Sequence, residues 1–279
     1  MIPTARLPDG AMVPALGQGT WHMGEGRHSA DQEVEALRLG LDLGMTLIDT
    51  AEMYGDGVAE RIVGRAIAGR RESVFLVSKV YPHNATSRGT PAACERSLKR
   101  LGTEVIDLYL LHWRGGAPLA ETVDAFEELR RQRKIRYWGV SNFAADDMEE
   151  LAALPAGDNC ATDQVLYNPD VRGIEFDLLP WCEQRGMPVM AYSPIGQAGR
   201  LLRSRALGEV ARRHNGTPAQ IAIAWCLRLP GIVCIPKASD REHVRQNAAA
   251  AEIRLSPDDL TSIDAAHPPP RRKQSLGML

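Results

Sequence analysis

With 279 residues the chain exceeds the usual domain size, yet parallel α/β barrels commonly run to roughly 250 residues as one domain, so one large domain is expected. A formal net charge of -2, with Lys, Arg, Asp and Glu spread along the whole length, leaves no basic stripe and excludes a nucleic-acid or anionic-membrane partner. Five scattered cysteines, Cys94, Cys160, Cys182, Cys226 and Cys234, contain no C-x-x-C pair and are odd in number, which excludes a disulfide framework and a zinc site.

Those cysteines read as reduced, buried thiols of a cytoplasmic protein. The opening MIPTARLPDG carries no signal-like apolar run, and nowhere do ~18 consecutive apolar residues offer a bilayer span. The N-x-[ST] matches at Asn84 and Asn215 are therefore read as chance. What remains is a small-molecule partner, no metal, and a monomer, since no exposed apolar stripe demands assembly.

In chain order, a Pro-Asp-Gly turn at Pro8 to Gly10 predicts a hairpin within residues 1–14, suited to cover a barrel floor as a lid. Strands are then expected at 16–20, 46–49, 74–79, 105–112, 135–141, 161–165, 188–192 and 232–237. Most are continuous apolar runs, as strands buried on both faces require. Helical spacing separates them: Val34, Leu37 and Leu41, then Cys94, Leu98 and Leu101, then Leu119, Val123 and Phe126.

Thr90-Pro91 and Thr217-Pro218 each put a capping hydroxyl before a proline at the first helical position, and Gln220 and Asp259 stand where a capping box needs them. Eight strands alternating with helices predict a (β/α)8 barrel, domain 1–279, with two extra helices within 201–214 and 257–266. The Pro-rich, basic tail 267–279 is expected to drape over the surface or the barrel mouth.

Nearly every expected strand ends on a polar residue: Asp49, Lys79, His112, Ser141 with Asn142, Gln164, Tyr192 and Lys237. In a barrel these ends converge on one mouth. Tyr54 follows Asp49 by five residues. A phenol with an ordinary pKa of ~10 is a poor acid at neutrality, and an adjacent ammonium lowers that value. Lys79 is placed to do so, held protonated by Asp49, while His112 hydrogen-bonds a substrate oxygen. Such a set is half of a carbonyl reduction, and the hydride must come from a cofactor.

Gly17-Gln18-Gly19 is no Rossmann fingerprint, because it lacks the third glycine and does not open a helix. Asn142 and Gln164 offer amides to a nicotinamide carboxamide, Tyr192 a ring, and Lys237 with the start of the next helix an anion site. The same amides also suit plain strand ends. Trp21 and Trp113, just past strand ends, suit either a substrate pocket or core packing. Arg114 suits an anionic substrate group or an ordinary surface.

The segments GMTLIDTAEMYG, FLVSKV, IDLYLLHW, GVSNF, DQVLYN, AYSPIG and IPKASDREHVRQN, in this order, resemble those of the aldo-keto reductases. The resemblance implies a catalytic tetrad of Asp49, Tyr54, Lys79 and His112, with Tyr54 as general acid. It further implies that Ser141, Asn142 and Gln164 bind the carboxamide and Tyr192 stacks on the nicotinamide. Ser193, Pro194, Ile195 and Gly196 would surround the pyrophosphate, with Gly19, Thr20, Trp21 and Asp49 lining the cofactor from the first strands.

Ile235, Pro236, Lys237, Ala238, Ser239, His243, Gln246 and Asn247 would hold the adenosine end. The substrate pocket would comprise Trp21, Tyr54, His112 and Trp113. In one place the chain departs from the pattern: the family often has Ser or Thr and an arginine where Ala238 and His243 stand, so NADP(H) is expected with tolerance of NAD(H). The short loop 113–118 suggests small, varied aldehydes such as 2-oxoaldehydes. Two rivals are a Schiff-base aldolase built on Lys79 and a slow-turnover nucleotide-binding regulatory barrel.

Overall fold

The computed structural model describes residues 1–279. A hairpin of β1 (Thr4–Arg6) and β2 (Met12–Pro14) precedes eight parallel strands. These are β3 (Gln18–Gly19), β4 (Leu47–Asp49), β5 (Phe75–Val80), β6 (Ile106–Leu111), β7 (Ile135–Ser141), β8 (Cys160–Leu166), β9 (Val189–Tyr192) and β10 (Ile232–Cys234), each paired with its sequence neighbour. Bridges Leu16 to Cys234 and Gly19 to Lys237 join the first strand to the last and close the barrel. The last strand is three residues long rather than the six expected, although beyond it Ile235 N still donates to the Ala191 carbonyl and the Pro236 carbonyl still accepts from Gly19 N.

Helices α1 (Ala30–Asp42), α2 (Val58–Ile67), α3 (Gly89–Leu101), α4 (Leu119–Arg131), α5 (Ala145–Ala152), α6 (Leu178–Gln184), α8 (Pro218–Leu227) and α9 (Arg241–Ala249) surround the strands. The expected extra helices are α7 (Arg205–Arg213), which follows a 3-10 turn at Arg200–Arg203, and α10 (Pro257–Ala266). Capping boxes open α8 at Thr217 and α10 at Ser256 as expected. The expectation at Thr90 fails: α3 begins at Gly89, so Thr90 lies inside it, and the hydroxyl of Thr86 accepts from Gly89 N instead. Pro91 still falls in the first turn, where its missing N–H costs nothing.

Period-two alternation sorts each strand between two cores. Ile48, Leu76, Tyr109 and Leu111 face the helices in a large outer cluster. Leu47, Val77, Leu108, Leu110, Met190, Val233 and Ile235 fill the lumen, joined from below by Ala5, Leu7 and Val13 of the hairpin. Two residues further along the same inward row come Asp49 after Leu47, Lys79 after Val77, His112 after Leu110, Tyr192 after Met190 and Lys237 after Ile235. The polar row at the mouth thus continues the apolar row in the lumen. All five cysteines are buried and unpaired.

The tail is pinned at its start. The His267 ring lies between Ser204 Oγ at 2.8 Å and Asp170 Oδ1 at 2.7 Å, and Arg172 Nη1 donates to the His267 carbonyl at 2.6 Å. Lys273 pairs with Asp146 at 2.6 Å, and Leu276 packs on the outer core.

Gly139 in β7 has no room for a side chain, since an added Cβ would stand 2.5 Å from the Thr162 carbonyl oxygen and 3.0 Å from Leu110 Cδ2. Gly139→Ala is expected to lower unfolding free energy by about 1–3 kcal/mol, as strand and lumen shift to admit a methyl. Urea denaturation of the two proteins measures this, and an unchanged midpoint would mean the strands part freely there.

Candidate active site

Asp49 closes β4, and the chain then turns so that Tyr54 opens a 3-10 turn, Tyr54–Gly57, whose last three residues all have positive φ. Glycines at positions 55 and 57 relieve the strain of that path, and Asp56 tolerates it better than most residues. An added Cβ at Gly57 would meet Arg100 Cδ at 2.6 Å, so the turn also packs too tightly for a side chain. The Thr20 hydroxyl donates to the Asp49 carbonyl at 2.9 Å and ties the first two strand ends together.

Lys79 is fully buried, and its ammonium donates to both Asp49 carboxylate oxygens, at 2.7 and 2.8 Å, and to the Thr50 carbonyl at 2.9 Å. Its Nζ also lies 3.3 Å from the Tyr54 hydroxyl. Gln164 Nε2 donates to Asp49 Oδ1 at 2.8 Å, which completes the carboxylate's surroundings. Burial pulls the Lys79 ammonium down from the ordinary lysine range, while Asp49 opposes that pull.

The sequence expectation that Lys79 lowers the Tyr54 pKa is reversed in this arrangement. Burial first, then the Asp49 carboxylate, holds the phenol well above the ordinary tyrosine value. The carboxylate cancels much of the ammonium's field, so desolvation decides and Tyr54 stays protonated. His112, its ring 5.6 Å from that of Tyr54 at 74°, is held well below the ordinary histidine range by burial and by Lys79. Its Nδ1 is buried without a partner, which leaves Nε2 as the nitrogen able to meet a ligand.

The amides expected to read a carboxamide already have protein partners. Asn142, at φ 61, donates from Nδ2 to the His112 carbonyl and to Ser141 Oγ, both at 3.1 Å, and accepts from the Tyr192 hydroxyl at 2.8 Å. Ser141 Oγ in turn donates to the Gln164 carbonyl at 2.7 Å. Burial pushes the Tyr192 phenol up to about 12. Beyond it Ser193, Gly196, Gln197 and Ala198 all take positive φ, a run of left-handed residues along the rim.

One cavity of about 470 Å³ opens onto these groups. Of the residues singled out from sequence, its wall includes Gly19, Thr20, Trp21, Asp49, Tyr54, His112, Trp113, Ser141, Asn142, Gln164, Tyr192, Ser193, Pro194, Ile195, Ile235 and Lys237. Lys79 lies behind it. Gly196, Pro236, Ala238, Ser239, His243, Gln246 and Asn247 are not part of the wall. Ser239 is buried, its hydroxyl 3.5 Å from Glu33, and Gln246 donates to Glu242. Arg114 points away, paired with Glu150 at 2.6 Å and Asp147 at 3.1 Å.

A family model, the aldo/keto reductase family, matches residues 15–268. The chain belongs to that family. It is 55% identical over 271 residues, 96% of this chain and 95% of the relative, to the methylglyoxal reductase YeaE of Escherichia coli K12. With the glyoxal reductase of Bacillus subtilis 168 it shares 34% over 264 residues, covering 94% of this chain and 92% of the other. A crystal structure of an aldo/keto reductase from Klebsiella pneumoniae in complex with NADP and acetate superposes over the full length of both chains, with a TM-score of 0.97 and 52% identity.

Sequence reasoning missed several wall residues of this aldo/keto reductase: His22, Arg27, Met53, Gln197, Ala198, Met278 and Leu279. Met53 could have been read from its place beside Tyr54. His22 and Arg27 sit on the loop 20–29, Gln197 and Ala198 on the 3-10 turn after β9, and Met278 and Leu279 on the tail, so their place depends on how these segments fold over the mouth.

A histidine kept neutral by burial makes stability depend on acid. Above its ordinary value of 6.5 both native and unfolded residue 112 are neutral, and the contribution is fully present. As pH falls below that value the unfolded chain binds a proton that the native state refuses, so stability declines until the lowered native pKa is reached. Denaturant titrations at pH values above and below 6.5 should show His112→Gln losing less stability on acidification than the parent. Equal losses would place the acid-sensitive group elsewhere.

Proposed function

We propose that this aldo/keto reductase reduces small aldehydes of the methylglyoxal and glyoxal class with NADPH. The observation that carries the proposal is the cluster of Asp49, Lys79, Tyr54 and His112 at the base of a cavity in a chain 55% identical to a methylglyoxal reductase. The wall suits the cofactor: amides of Asn142 and Gln164 stand near the Tyr192 ring, and Lys237 offers a cation on the same wall. When bound there, NADPH supplies a hydride to the carbonyl carbon.

The protein's part is to bind the oxygen and move a proton. Tyr54, kept neutral by burial, offers its hydroxyl hydrogen to the carbonyl oxygen, and His112 Nε2 reaches the same oxygen from the end of β6, two strands away. As the proton leaves, charge develops on Tyr54 Oη, 3.3 Å from the Lys79 ammonium. The ammonium therefore acts on the phenolate as it forms, while Asp49 keeps the lysine charged and aimed. Trp21, Trp113 and Met53 add apolar wall around the oxygen, compatible with a compact substrate.

A Schiff base on Lys79 fits this geometry poorly, since its nitrogen is protonated, donates to three acceptor atoms and lies behind the cavity wall. Tyr54→Phe should cut NADPH-dependent turnover of methylglyoxal by ~10²–10⁴ while leaving NADPH affinity nearly unchanged. Stopped-flow reduction together with quenching of protein fluorescence by NADPH measures both. Retained turnover would remove Tyr54 from the role of acid.

A further inference from the structure

We propose that Arg27, on the loop between β3 and α1, forms with Lys237 the cationic clamp for a phosphomonoester dianion, the 2′-phosphate of the cofactor. The proposal rests on the cofactor reading above and concerns which groups of this chain select the phosphorylated nucleotide.

Strand closure brings the two cations together. Gly19 bridges Lys237 in parallel, so the loop that follows Gly19 emerges beside the segment that follows β10. Glu33, fully buried near the start of α1, fastens the two segments: its Oε2 accepts from Gly24 N at 2.8 Å, and its Oε1 lies 3.5 Å from Ser239 Oγ. Arg27 and Lys237 line the same cavity. Arg27 makes no ion pair or side-chain hydrogen bond, unlike Arg38 and Arg65 on the neighbouring helices and Arg70 just after α2. Burial pulls the Lys237 ammonium down, the Glu33 carboxylate opposes that pull, and Arg27 adds a smaller like-charge repulsion that an anion between the two cations would relieve.

The alternative holders on this face are engaged or turned away. The start of α9, a ready anion site by its free N–H groups, is capped by the Asp240 carboxylate, which accepts from Glu242 N at 2.8 Å and His243 N at 3.2 Å. His243 is largely exposed and outside the cavity wall. Arg241 leans toward Glu35 at 3.9 Å. A guanidinium from the opposite loop, able to grip phosphate with two N–H groups, replaces what the α9 segment does not provide.

Titration calorimetry of the full-length protein with NADPH, NADH, 2′,5′-ADP and 5′-ADP tests the clamp. Arg27→Ala should raise the Kd for NADPH and 2′,5′-ADP by about tenfold or more, and change that for NADH and 5′-ADP by less than about twofold. Arg27→Lys should recover part of the loss, and His243→Ala should leave all four nearly unchanged. Equal weakening of phosphorylated and unphosphorylated ligands, or no weakening, would overturn the clamp while leaving the reductase reading intact. Binding of neither NADPH nor NADH by the unmutated protein would overturn the reductase reading itself, and the clamp with it.

Discussion

The site is organised by one buried ion pair, Lys79 with Asp49. Placing an ammonium and a carboxylate out of contact with water carries a desolvation cost of several kcal/mol per ion, which only close geometry and further hydrogen bonds offset. Here the ammonium has both carboxylate oxygens and the Thr50 carbonyl, and the carboxylate has the Gln164 amide as well. Removing either partner would strand a charge, so three strand ends, those of β4, β5 and β8, are bound to one arrangement. Tyr54 and His112 then take their protonation states from that arrangement. The phenol is kept neutral by burial against a cancelled field, and the imidazole is kept neutral by burial and the nearby ammonium.

Barrel geometry explains how so few residues achieve this. A strand that fills the lumen with an aliphatic side chain must, two residues later, point another side chain into the mouth. Asp49, Lys79, His112, Tyr192 and Lys237 occupy those positions after Leu47, Val77, Leu110, Met190 and Ile235. The hairpin that closes the floor with Leu7 and Val13 supports the opposite end of the same column of side chains. Stability and chemistry thus share a scaffold, one below the other along each strand.

This periodicity is also why the barrel and these five polar strand ends could be read from sequence. Apolar runs of strand length, each ending on a polar residue, carry their own direction, and the caps at Thr217 and Ser256 announce where helices begin. Reading failed where two nearby residues compete for one role and where position depends on distant contacts. The start of α3 moved because Thr86, not Thr90, accepts from Gly89 N. Beyond Cys234 regular strand gives way to single backbone contacts, Ile235 with Ala191 and Gly19 with Pro236. At the start of α9, expected beside an anion site, the Asp240 carboxylate accepts from two N–H groups, and Arg27 reaches the cavity wall on a loop beside the buried Glu33. Nor could burial be weighed against the Lys79 charge at Tyr54 before both distances were known.

Met278 and Leu279 line the cavity but belong to no strand end. They follow a segment secured at His267, which sits between Ser204 and Asp170 with its carbonyl on Arg172, and again at Lys273 and Leu276. The anchorage shares no residue with the cluster of Asp49, Lys79, Tyr54 and His112. Chemistry and fit are consequently separable inheritances in this chain: replacements between the anchor and the rim can recast the shape offered to an incoming aldehyde while the ion pair and its phenol stay as they are.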